Sequence, residues 1–144
     1  MNHWVFLDAS FWIALRDKRE PAHSRAVMLT RQLLNMRQGF VYTSFILAET
    51  YAYFCRSIPI RLQVLDDAEK NPVMRWEPVL AEDEQEARRL LRRYVDKSFS
   101  YCDALSMVVM RRLGLERVAT FDDHFRQIGG FGLIGPETDY RQRY

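Results

Sequence analysis

The sequence predicts a doubly wound α/β domain with a parallel sheet, and three observations carry that expectation. Short apolar runs alternate with helical patterns, the first run is apolar on both faces, and no repeat or low-complexity linker interrupts the alternation. Residues 3–8 are nearly all apolar, as a buried strand requires, and Asp8 falls at the carboxyl end of that run. Helices are expected over 10–16 and 21–36, the second with Pro21 in its first turn and a stop before Gly39. A short β-favouring segment, 41–43, precedes Ser44, which can cap a helix carrying Ile46, Glu49, Ala52 and Tyr53 on one face. That helix should end before Pro59. Another helix is expected over 61–71, broken by Asn71 and Pro72, and 73–79 supplies a strand that Pro78 makes short or an edge. Residues 82–94 begin acidic and end basic, which suits a helix dipole and pairs Glu84 with Arg88. Ser100 starts a helix to Leu113 with Gly114 at its stop. A strand over 117–121, a short helix ending at Gly129 and a last strand over 131–134 complete the pattern.

At 144 residues and 48% apolar content, the whole chain, 1–144, fits one domain with one core. A net charge of +2 is too small to establish nucleic-acid binding. Of 21 basic residues, however, only Lys18, Lys70 and Lys97 are lysines, and arginine suits bidentate contacts with phosphate or carboxylate. Cys55 and Cys102 have neither metal spacing nor disulfide density and read as buried thiols in a reducing compartment. Asp8 follows too soon for a signal peptide and no apolar run reaches a membrane span, so a soluble cytoplasmic chain is expected.

Four acids stand where apolar segments should exclude charge. Asp8 closes a strand, Glu49 interrupts Phe45-Ile46-Leu47-Ala48, Asp103 opens an apolar helix, and Asp122 follows Val118-Ala119-Thr120-Phe121. Such carboxylates must be paired, protonated or metal-bound, because an isolated buried anion costs several kcal/mol. In a parallel sheet, all four can meet beyond the carboxyl ends of the strands. Their mutual repulsion should raise one or more pKa values, and a divalent cation would relieve it. Oxygen ligands favour Mg²⁺ or Mn²⁺, which can activate water for phosphodiester hydrolysis. Each acid also has a structural reading. Ser100 with Asp103 and Thr120 with Asp123 match capping boxes, Asp8 can cap the helix at Ser10, and Glu49 can pair with an arginine. Asp123 is assigned to capping, because Asp122 lies nearer the strand end.

Leu7-Asp8-Ala9-Ser10, the segment from Ser44 to Ala48-Glu49-Thr50, Ser100-Tyr101-Cys102-Asp103-Ala104-Leu105-Ser106 and Ala119-Thr120-Phe121-Asp122-Asp123-His124-Phe125 together resemble the PIN domain family, close to VapC-like ribonuclease toxins. The resemblance covers essentially the whole chain. It implies a three-layer α/β/α sandwich with a central parallel sheet, and Asp8, Glu49, Asp103 and Asp122 as the catalytic, metal-binding quartet. Ser10 and Thr120 become polar neighbours that orient a ligand or water. The resemblance further implies Mg²⁺ or Mn²⁺ dependence, RNA cleavage, a homodimer and a cognate antitoxin.

Other motifs carry less. His3, His23 and His124 lack metal spacing, and His124 reads as a helix-surface residue beside the site. No phosphate-binding glycine loop or nucleophile elbow is present. Trp12, Tyr51, Tyr53 and Phe54 could stack on RNA bases, though core packing is the expectation for most of them. Three alternatives stand beside the toxin: a stand-alone PIN nuclease of RNA processing, an aspartyl-phosphate phosphatase using Asp8, and a non-catalytic module binding RNA or a partner. Ser10, where a phosphatase usually carries a second acid, weakens the phosphatase.

Overall fold

A strand apolar on both faces must also pair on both edges, because its backbone groups find no water. The computed structural model, which describes residues 3–136, places the first strand accordingly at the centre of a five-stranded, all-parallel sheet. The strands are β1 (Trp4–Leu7), β2 (Gly39–Tyr42), β3 (Met74–Trp76), β4 (Arg117–Ala119) and β5 (Gly132–Ile134), in the order β3-β2-β1-β4-β5. Between them run α1 (Ala9–Arg16), α2 (His23–Asn35), α3 (Ser44–Tyr53), α4 (Ile58–Lys70), α5 (Ala81–Arg93), α6 (Tyr101–Leu113) and α7 (His124–Ile128). The chain moves outward from β1 to β3 and then returns across β1 to β4. Right-handed crossovers therefore put α1 to α4 on one face and α5 to α7 on the other. The helix contacts agree: α1 packs on α2 and α3, α3 on α4, and α6 on α5 and α7. The α/β/α sandwich is thus the fold, and α6, with nine buried residues, fills the second layer.

Where the elements differ from the sequence expectation, side chains give the reason. The second strand starts earlier, at Gly39, because it passes against Trp4: a Cβ there would lie 2.7 Å from the Trp4 ring and 2.9 Å from the Val73 carbonyl oxygen. α3 ends before Pro59, as expected, but α4 starts at Ile58 rather than at 61, with Pro59 in its first turn, where its missing N–H costs nothing. Thr43 rather than Ser44 caps α3, accepting a bond from the Ile46 amide at 3.4 Å, while Ser44 Oγ accepts one from Trp76 Nε1 at 2.9 Å. The buried face of α3 is Ile46 and Thr50, and Glu49, Ala52 and Tyr53 are exposed. Glu84 and Arg88 do not pair directly. The Tyr101 hydroxyl stands between them, donating to Glu84 at 3.2 Å and accepting from Arg88 at 3.1 Å. Cys102 is buried as expected, whereas Cys55 is exposed in the turn after α3, where its carbonyl accepts a bond from Arg61. Trp12 and Phe54 are core residues. Gly114 ends α6 with φ 69°, the left-handed conformation that glycine adopts without penalty. No described helix is long and apolar enough to cross a membrane.

Candidate active site

Strand order reverses direction beside β1, and neighbouring loops that diverge at such a point leave a crevice beyond the carboxyl ends of the strands. Asp8 is the first residue past β1, and its amide continues the ladder to the Ala119 carbonyl at 3.0 Å. Thr120, the first residue past β4, is fixed from the other side by its amide bond to Ile134 at 3.0 Å. Gly135 crosses this point so closely that a Cβ would lie 2.3 Å from the Thr120 carbonyl oxygen. The two strand ends are thereby locked next to each other.

The hydroxyls of Ser10 and Thr120 converge on Asp8 Oδ2, each donating at 2.8 Å, and lie 3.1 Å apart. Each also accepts a backbone amide at 3.0 Å, Ser10 from Phe121 and Thr120 from Asp122. The amides hold the hydroxyls and the hydroxyls hold the carboxylate, so Asp8 has a fixed orientation with no cationic partner among the described residues. Burial nonetheless pushes its carboxyl above the ordinary carboxylate range; the two hydroxyl bonds oppose this, and Asp103 and Asp122 add to it. Thr120 spends its side chain on Asp8 and the Asp122 amide, so the expected capping box with Asp123 does not form. Asp123 is the N-cap of α7 by position only, with no side-chain cap bond.

Asp103 does form its capping box. Its Oδ2 accepts the Ser100 amide at 2.9 Å, and Ser100 Oγ accepts the Asp103 amide at 3.0 Å. Capping and placement in the acidic group coexist, because the first turn of α6 points at the crevice. Glu49 enters from α3, with its residue surface exposed rather than buried as its apolar neighbours in sequence suggest. Partial burial still raises its carboxyl, with Asp8, Asp103 and Asp122 contributing, while a bond from the Cys102 thiol opposes the rise. That thiol is itself pushed up by burial, with Glu49 and Asp8 adding to the rise, which favours its protonated, donating form. The crevice therefore has a buried floor, Asp8 and Asp103, and an open rim, Glu49 and Asp122.

His124 also enters this group, against the surface role expected from sequence. Its Nδ1 lies 2.6 Å from Asp103 Oδ2 and 3.3 Å from Asp122 Oδ2. This buried nitrogen makes no aligned hydrogen bond. Ligand atoms of Asp103, Asp122 and His124 all lie within 4.8 Å of one another, close to the roughly 4 Å that opposite ligands span across one small divalent ion. An orphaned nitrogen facing two carboxylate oxygens, beside two acids held above their ordinary pKa, fits a cation. The sequence signal was the Asp122-Asp123-His124 run itself, because an imidazole two residues from a site acid can reach it when a helix starts between them.

A family profile described as PIN domain matches residues 5–130. The 23S rRNA-specific endonuclease VapC20 of Mycobacterium tuberculosis is 33% identical over 135 residues, covering 92% of this chain and 99% of that protein. The crystal structure of VapC20, a Sarcin-Ricin loop cleaving toxin, superposes with a TM-score of 0.79 at 27% identity, over 92% of this chain and 99% of that one. VapBC2 from Rickettsia felis, bound to a DNA fragment from its promoter, shares the fold with a TM-score of 0.65 at 15% identity, covering 91% and 97% of the two chains. FitAcB from Neisseria gonorrhoeae does so at 0.66 and 14%, covering 91% and 96%.

Proposed function

The chain belongs to the PIN domain family, whose nucleases depend on divalent metal, and from that membership we propose that it is an endoribonuclease acting as the toxin of a toxin-antitoxin pair. The observation that carries this reading is a group of acids with no arginine or lysine partner among the described residues, gathered at the sheet's reversal point with an orphaned imidazole nitrogen. Asp8, Glu49, Asp103 and Asp122 are the catalytic and metal-holding residues in this reading, joined by His124. Ser10 and Thr120 position Asp8. Mg²⁺ or Mn²⁺ suits a mostly carboxylate site, and it would supply water activation and charge neutralisation at the scissile phosphate. The chain's own contribution is orientation: two hydroxyls aim Asp8, a helix cap aims Asp103, and the open rim of exposed Glu49 and half-buried Asp122 admits a phosphodiester from solvent.

The named target of VapC20 makes 23S rRNA the first substrate to try, and this reading expects a cytoplasmic protein. A cognate antitoxin and a second copy of the chain are the expected partners. Exposed Ile58, Leu62 and Trp76 supply the apolar surface such partners would cover. The reading treats 1–144 as one nuclease domain, of which residues 1–2 and 137–144 lie outside the described residues.

The test is cleavage of total RNA by the purified protein and by Asp103→Asn, with Mn²⁺ or with chelator, followed by primer extension across 23S rRNA. Metal-dependent cuts at a discrete position, lost in the variant, are expected. Cuts that survive both chelator and Asp103→Asn would remove the site, and an intact RNA pool with ribosomes, naked rRNA and Mn²⁺ all supplied would remove the activity.

A further inference from the structure

The strongly basic stretch of α5 lies beside the crevice. Only residues 94–100 separate α5 from α6, so the carboxyl end of one helix meets the amino end of the other, where Asp103 stands. α5 is polarised along its axis: Glu82, Asp83 and Glu84 occupy its first turn, and Arg92 and Arg93 its last. A chain of rings leads from that last turn to the acids. The Arg93 guanidinium lies over the Tyr94 ring at 5.6 Å, Tyr94 meets Phe99 at 6.1 Å, and Phe99 meets His124 at 5.9 Å. Arg92 and Arg93 are exposed and, among the described residues, belong to no ion pair. The neighbouring basic side chains are more engaged, Arg88 with the Tyr101 hydroxyl and Arg89 with Glu86 at 2.7 Å.

Resting on the nuclease reading above, we propose that Arg92 and Arg93 form a phosphate-binding track that holds the RNA strand a few nucleotides from the cut, making them positioning residues for the reaction. Charge complementarity selects the occupant. A substrate carrying one anion per nucleotide must approach a crevice that is itself crowded with carboxylates, and the adjoining uncompensated guanidinium groups offset that repulsion. Arginine's fork binds phosphate oxygens bidentately, and the contacts from Arg93 through Tyr94 and Phe99 to His124 set this end of α5 beside the acids. Two arginines in a last turn also complement a helix dipole, a role that concerns folding alone.

The experiment measures binding of a fluorescein-labelled RNA stem-loop across a salt series, in an Asp103→Asn background that prevents cutting, with Arg92→Gln/Arg93→Gln added. The slope of log affinity against log salt is expected to fall by about 1.4, and low-salt affinity by about 10-fold, if each arginine meets one single-stranded phosphate. Arg92→Lys/Arg93→Lys should keep the slope, and Arg31→Gln, on α2 at the opposite end of the sheet, should leave slope and affinity unchanged. A glutamine variant with the parental slope and an unchanged melting temperature overturns the track while leaving the nuclease intact. A double variant that keeps RNA binding but loses capture by its antitoxin assigns the face to protein and overturns the proposal as well. Failure of the Asp103→Asn parent to bind any RNA, together with failure of the wild-type protein to cut any, removes the nuclease reading and the track with it.

Discussion

Two pairs of buried acids in this molecule differ in what neutralises them. Asp67 receives Trp12 Nε1 at 3.0 Å and is gripped by both Nε and Nη2 of Arg16, and Asp83 receives Arg112 Nε at 2.9 Å and the Leu80 amide at 2.9 Å. Asp8 and Asp103 are as deeply buried, yet among the described residues they receive hydroxyls and backbone amides, with the His124 nitrogen close by and unaligned, and no guanidinium. Arginine is abundant in the chain, yet among the described residues none pairs with these two acids. An acid neutralised by the chain tethers one element to another; an acid left without a cation is, in the nuclease reading, open to one that arrives.

The largest expected effect breaks that contrast directly. Asp8→Asn or Asp103→Asn should reduce metal-dependent RNA cleavage by at least about 100-fold with folding retained, since even indirect supports of a metal site cost 10- to 100-fold. Asp67→Asn should leave the rate per folded molecule within about twofold. It should instead cost about 2–3 kcal/mol in denaturant unfolding, under the usual figure for a broken buried pair because Arg16 remains 31% exposed. Equal loss of rate in both variants would abolish the distinction.

A weaker effect sharpens it. Thr120→Val and Ser10→Ala remove the hydroxyls that aim Asp8, and each should lower metal affinity or cleavage by roughly 10-fold. A calorimetric Mn²⁺ titration indistinguishable from wild type would show that Asp8 needs no orientation.

The difference should also appear as pH dependence without metal. Asp8 and Glu49 titrate above their ordinary values of 3.8 and 4.5, so the folded protein holds protons that the unfolded chain has released. Their contribution to stability is complete below those ordinary values and is lost as pH rises through the raised ones. In chelator, Asp8→Asn should therefore melt higher than wild type at neutral pH, and the gap should close toward pH 4. Saturating Mn²⁺ should reverse it, because metal competes with the proton and binds better as pH rises. A wild-type advantage in chelator at neutral pH would show Asp8 neutralised by some other means.

Much of this arrangement was legible in the residues. Asp8 and Asp122 were readable because apolar strands end at them, and a parallel sheet gathers strand ends. Asp103 was readable as a cap and as a candidate ligand, and the geometry shows the cap together with its place among the acids. Glu49 was found for the wrong reason: apolar neighbours suggested burial, but the helix turns it to the open rim. The partners of Asp67 and Asp83 were not readable, since Arg16 and Arg112 lie 51 and 29 residues from their acids and only the tertiary fold joins them.

His124 escaped the sequence for a related reason, and it offers the finest test of the contrast. Histidine spacing along the chain was uninformative because the other ligand atoms come from α6 and from the β4–α7 connection. In space, His124 Nδ1 is the one nitrogen in an otherwise oxygen-bearing group. Imidazole binds Mn²⁺ more readily than Mg²⁺, which prefers oxygen. His124→Phe keeps a ring against Phe99 and removes only the nitrogen. Mn²⁺ affinity should fall on the order of 10-fold while Mg²⁺ affinity changes little. If both fall together, the ring positions Asp103 and Asp122 rather than binding the ion. If neither falls, His124 belongs with the acids that the chain neutralises for itself.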